Sequence, residues 1–128
     1  MGNGTELGRV RGLGSAKEGA HHWWHQRVTA AANLFLMVWL LVSIAHQPAY
    51  DFGALHAWLA SAWVAIPMIL LIISVFYHFR LGLQVMIEDY VHGESGVALL
   101  LLLNFFVIAT AVIAIFSILR IALAGVPA

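Results

Sequence analysis

Four residues able to do chemistry fall inside one stretch, Ser74 to His92, SVFYHFRLGLQVMIEDYVH. His78 and Arg80 come first; the carboxylate–phenol pair Asp89 and Tyr90 comes last. If the stretch is one helix, residues eleven apart lie nearly in line, because ~3.6 residues make a turn. His78, Gly82, Val85 and Asp89 then share a stripe, with imidazole and carboxylate separated by ~16 Å of helix rise. A neutral imidazole can ligate haem iron, zinc or copper, relay a proton, or simply hydrogen-bond a neighbouring helix. A phenol such as Tyr90 can donate a hydrogen bond to a quinone carbonyl. A carboxylate beside it can orient the phenol or exchange protons with water. The plainer alternative is a helix-terminal acid beside an interfacial tyrosine. Gly82, one turn from His78, either leaves room for a flat group or lets another helix pack closely. Arg80 lies ~200° around the helix from His78 and serves a different face. It is expected to snorkel to the cytoplasmic boundary or to pair with an acid on a partner chain.

These residues must be held in lipid. The chain has 128 residues, 62% hydrophobic and 9% charged, whereas a soluble domain carries about 25% charged residues. That deficit makes it an integral membrane protein with room for a single domain. There is no cysteine, so neither a disulfide framework nor a thiolate metal site is available. The formal charge is zero, so nothing points to nucleic acid. The opening residues carry Arg9, Arg11, Lys17 and Arg27, but residues 12–27 lack the apolar core of a secretory signal.

Three apolar segments follow, about 28–45, 57–87 and 97–119, and a bilayer core needs roughly 20 apolar residues in a helix. The expected fold is all-α: three transmembrane helices with a cytoplasmic N-terminal arm, forming part of a multi-subunit helical bundle. The arm is residues 1–27, extended or partly disordered; the anchor domain is 28–124; a tail covers 125–128. The second segment is longer than one crossing requires. It should tilt, kink at Pro67, or extend past the membrane at its C-terminal end. Four of the six basic residues precede the first helix and loop 46–56 has none. The positive-inside bias therefore puts the N-terminus in the cytoplasm, loop 88–96 inside, and loop 46–56 and the C-terminus outside. Trp23, Trp24, Tyr50, Trp58 and Tyr90 fall at expected interfaces. In this topology Asp89 and Tyr90 lie at the cytoplasmic boundary, and His78 lies about half a membrane deeper.

A haem held from both faces needs a second axial ligand. His46 and His56 sit at the opposite end, and His21, His22 and His25 precede the first helix, so none matches His78 in depth. Another chain would supply that ligand, or the iron would be five-coordinate. Arg27 can pair with haem propionates or a quinone head group, or can anchor the helix at the interface. Thr29 with Asn33, and Thr110 with Ser117, read as ordinary packing groups between helices. Arg120 marks the outer end of the third helix.

The pattern His78, Gly82, Asp89–Tyr90–Val91 (H-x3-G-x6-D-Y-V) resembles the small hydrophobic membrane anchor of succinate dehydrogenase, the D-type subunit of respiratory complex II. Asp89–Gly93, DYVHG, is similar to the mitochondrial form. Gly12 to Arg27 is similar to the arm of alphaproteobacterial members. The resemblance extends over the arm and all three helices, essentially the whole chain. The resemblance implies a bacterial inner-membrane subunit, C-terminus periplasmic, that shares haem b with a second, C-type anchor and binds ubiquinone. It implies His78 as axial haem ligand, Tyr90 as hydrogen-bond donor to the quinone, and Asp89 as its support or proton carrier. Arg27 and His21 match positions near the haem propionates. An iron–sulfur subunit and a flavoprotein subunit would dock on the cytoplasmic face. Succinate oxidation would belong to the flavoprotein, with no complete active site on this chain. Glu88, Arg80 and the H-H-W-W-H cluster depart from the pattern. Three other readings remain: a menaquinone-linked fumarate reductase anchor, a small proton or ion transporter using His78 and Asp89 as a relay, and a pure assembly scaffold.

Overall fold

The computed structural model describes residues 17–124, and side-chain surroundings from Gly19 onward. Arg9, Arg11, the 1–16 part of the expected arm and the 125–128 tail lie outside the described residues. Four helices make up the rest: α1 Lys17–Ala45, α2 Phe52–Ala60, α3 Ala62–Tyr90 and α4 Glu94–Ala124. No strand occurs among the described residues. The chain is all-α, and α1, α3 and α4 are each long and apolar enough to cross a membrane.

α3 is the central helix. α1 and α4 pack on opposite sides of it and not on each other, while α2 rests on α3 and α4. The result is an open layer rather than a closed bundle. Among the described residues only Val64, Ala65, Leu71, Leu81, Leu103, Val107 and Ile118 form a buried apolar core, and no side chain is completely enclosed. Phe35, Trp63, Phe105 and Phe116 stand fully outward. In water such exposure would be untenable, because each buried large apolar side chain is worth about 2 kcal/mol. In lipid, or against another helix, it costs nothing.

Two boundaries differ from the apolar pattern. The pattern begins near Val28, yet α1 begins at Lys17. The extra turns, KEGAHHWWHQR, are polar in composition but have a helical repeat, His22, Gln26, Thr29 and Asn33, that packs toward α3. Arg27 stacks over the Trp23 ring at 4.7 Å, an i, i+4 cation–π contact that suits a helix. The second apolar segment is also not one helix. The chain breaks at Ser61, whose ψ of 128° is extended, and not at Pro67. Asp51 caps α2 through Oδ2, which accepts from the Ala54 amide at 3.2 Å. Pro67 lies within the second turn of α3, where it removes one backbone donor, and the helix continues past it to Tyr90.

Loop 88–96 shrinks to the turn Val91–Gly93. Gly93 has a φ of 75°, a left-handed conformation that costs an L side chain ~1–2 kcal/mol. Gly96 follows, where a Cβ would meet the Val91 carbonyl oxygen at 2.7 Å. At the other end of the layer, the Trp58 indole donates to Ser43 Oγ at 3.1 Å and the Tyr50 hydroxyl donates to the Ile44 carbonyl at 3.1 Å. The amphipathic rings expected at that boundary are tied back to α1.

Candidate functional site

The α1–α3 seam is polar along the half nearer Tyr90. Thr29 Oγ1 lies 3.0 Å from His78 Nδ1. One turn away on α3, Ser74 Oγ donates to the Thr29 carbonyl at 3.4 Å. Gln26 lies over Gly82, its Nε2 at 3.7 Å from where a Cβ would be. The His25 ring meets the Tyr77 ring edge-on, centroids 6.1 Å apart. These contacts fix an antiparallel register in which residues 25–29 of α1 run alongside residues 74–82 of α3.

That register corrects the expected depths. The histidines before Val28 were to lie outside the layer that holds His78; instead His25 sits level with it. α1 starts earlier than hydropathy indicates, because packing against α3, and not apolarity, orders those turns. The His25 ring goes to Tyr77 rather than to His78. No cluster of three or more metal-ligating side chains exists among the described residues.

Three polar atoms in this seam are buried without a hydrogen-bond partner among the described residues: His22 Nε2, Gln26 Oε1 and Asn33 Oδ1. All three are on α1 and share the face that carries Thr29. A buried polar group without a partner costs about 1–3 kcal/mol, so this stripe is incompletely satisfied among the described residues. Spacing held the signal: 22, 26, 29 and 33 recur at intervals of four, three and four, the helical period.

The remaining predicted residues are spread out. On the expected stripe, His78 and Gly82 are half-buried beneath α1, while Val85 and Asp89 are exposed. Tyr90 is 82% exposed and is the last residue of α3; neither it nor Asp89 hydrogen-bonds a side chain among the described residues. His78 and Tyr90 are twelve residues apart, ~18 Å of rise. Arg27 is exposed and lies against Trp23. His21 is exposed on α1, one and a half turns nearer the Tyr90 end. Arg80 neither snorkels free nor waits for an acid: its Nε donates to Asn104 Oδ1 on α4. The Asn104 amide donates in turn to the Leu100 carbonyl at 2.8 Å. Arg80 and Asn104 sit at one end of an apolar groove of about 390 Å³ lined by Phe76, Tyr77, Val107 and Ile108.

Three long apolar helices in an open layer, with a histidine in a half-satisfied polar seam, define a multi-pass membrane protein. The chain belongs to the family described as succinate dehydrogenase/fumarate reductase transmembrane subunit, whose model matches residues 1–119. It is 36% identical over 87 residues to a succinate dehydrogenase hydrophobic membrane anchor subunit of Rickettsia bellii, covering 68% of this chain and 70% of that one. The protein of the same name from Rickettsia conorii is 30% identical over 110 residues, covering 84% and 87%. That from Paracoccus denitrificans is 29% identical over 117 residues, covering 91% of each. No solved structure matches the chain.

Proposed function

We propose that the chain is the hydrophobic membrane anchor of a bacterial succinate:ubiquinone oxidoreductase. It lies in the inner membrane with its N-terminus cytoplasmic and its C-terminus periplasmic. A C-type anchor covers the open face of the α1–α3 seam, and a b-type haem lies between the two chains. The iron–sulfur and flavoprotein subunits dock beside the Val91–Gly93 turn and the start of α1. The names of the relatives support the assembly, and the unpartnered seam around His78 carries the reading for this chain.

The residues fit such a group. His78 is engaged through Nδ1 only, which leaves Nε2 available to iron. His22, Gln26 and Asn33 bring unpartnered polar atoms to the same face. Arg27 and His21 are exposed on α1 within the same two turns and can pair with propionates. When bound, haem supplies one-electron redox chemistry between the iron–sulfur subunit and quinone. At the helix end, the Tyr90 hydroxyl donates a hydrogen bond to a ubiquinone carbonyl, and Asp89, open to water, exchanges protons.

The test is a detergent pull-down of the tagged chain with a reduced-minus-oxidised spectrum. A b-type band with three companion proteins is expected; a solitary chain without the band overturns the reading. Tyr90→Phe should lower quinone reductase turnover about tenfold or more with the complex still assembled, and normal turnover would remove Tyr90 from the site. The family description also covers fumarate reductase; menaquinone in place of ubiquinone in the extracted complex would favour that direction.

A further inference from the structure

The hydrogen bond between Thr29 and His78 has a direction that the geometry decides. A threonine hydroxyl has one proton to give and two lone pairs to receive with. Two carbonyl oxygens on its own helix compete for that proton, His25 O at 2.8 Å and Gln26 O at 3.1 Å. Both can only accept. With the proton directed into α1, the third contact, at 3.0 Å to His78 Nδ1, is a hydrogen bond only if the ring nitrogen donates.

We infer that Thr29 is a positioning residue for His78: its hydroxyl oxygen accepts from Nδ1–H, so the neutral ring keeps its lone pair on Nε2. The opposite tautomer would set two lone pairs against each other at 3.0 Å, or pull the hydroxyl away from His25. Thr29 is well placed for the task. It is half-buried, its branched Cβ makes χ1 stiff, and its own carbonyl is held to α3 by Ser74. The acceptor therefore sits on backbone tied to the histidine's own helix, one turn from the histidine itself. As a packing group it would need only shape; as an acceptor it decides which nitrogen can bind a metal.

This inference rests on the haem reading and adds an electronic consequence. An acceptor on Nδ1–H makes the imidazole a more basic ligand. Greater basicity favours the more highly charged, oxidised iron, so the hydroxyl should hold the haem potential down.

The test uses the detergent-purified complex, with haem counted per complex by pyridine haemochromogen and the b-band midpoint measured by redox titration. Thr29→Val keeps the shape and removes the oxygen. It should raise the midpoint, while Thr29→Ser, which restores the oxygen, should return it to the wild-type value. If the valine complex does not assemble, Thr29→Ala asks the same question without added apolar bulk. A hydroxyl-free variant with wild-type haem content and midpoint overturns the assignment. His78→Ala separates the two layers of the argument. Loss of the band there with an unmoved Thr29→Val midpoint sinks only the role of Thr29; a band that survives His78→Ala sinks the haem reading and this inference together.

Discussion

α3 presents two seams, and they are built differently. On the α4 side the polar groups close on themselves: Arg80 donates to Asn104, and Asn104 donates to the Leu100 carbonyl. Leu103 and Val107 of α4 are buried around that pair. On the α1 side His78, Thr29 and Ser74 are joined, but His22, Gln26 and Asn33 each keep a buried atom without a partner among the described residues. One helix thus separates a finished interface from an unfinished one. Satisfied polar pairs between membrane helices serve to hold helices together. Unsatisfied ones in low dielectric are costly, and persist where something else completes them.

The sharpest way to break that contrast is His78→Ala in the assembled complex. If the α1 seam is completed by haem, the b-type band is lost or strongly altered. A milder probe of the same seam is Gln26→Leu. A seam awaiting a ligand should retain haem about tenfold less tightly without Gln26, as for an outer-shell partner. If the orphaned oxygen were only a packing flaw, replacing it would leave haem unchanged and raise the Tm.

The α4 seam should respond in stability instead. Asn104→Leu strands the Arg80 Nε–H and should cost about 2 kcal/mol, read as a lower Tm with the haem spectrum intact. Arg80→Met combined with Asn104→Leu should recover most of it, because removing both partners leaves nothing unpaired. Loss of the haem band in Asn104→Leu would erase the distinction between the seams. The smallest effect is expected at the turn that sets α4 against α3. Gly93→Ala, with open space around it but a left-handed φ, should cost about 1 kcal/mol in thermal melts and leave turnover unchanged.

Much of this was legible beforehand. The three spans were visible as apolar runs, since lipid demands ~20-residue helices whatever their neighbours. The histidine, glycine and Asp–Tyr spacing singled out α3. The early start of α1 was hidden, because its first turns are polar and composition places polar residues outside the membrane. What orders them is the 22–26–29–33 repeat docking on α3, a helical spacing present in the sequence whose partner face only the packing supplies. The break at Ser61 was masked by Pro67, the stronger helix breaker by propensity. Thr29 looked like a packing group because it is not ionisable, and Gln26 drew no attention; the importance of both lies in what they face.

From its order of residues alone, this protein has its class, its three membrane-length helices and the helix that carries the His–Gly–Asp–Tyr pattern, because those depend on hydropathy and on residues close in the chain. Pairing is another matter. That Thr29 meets His78, that Gln26 covers Gly82 and that Arg80 is settled by Asn104 join positions 24 to 56 residues apart in the chain. Each depends on the register of one helix against another, which side-chain packing decides and no local periodicity encodes.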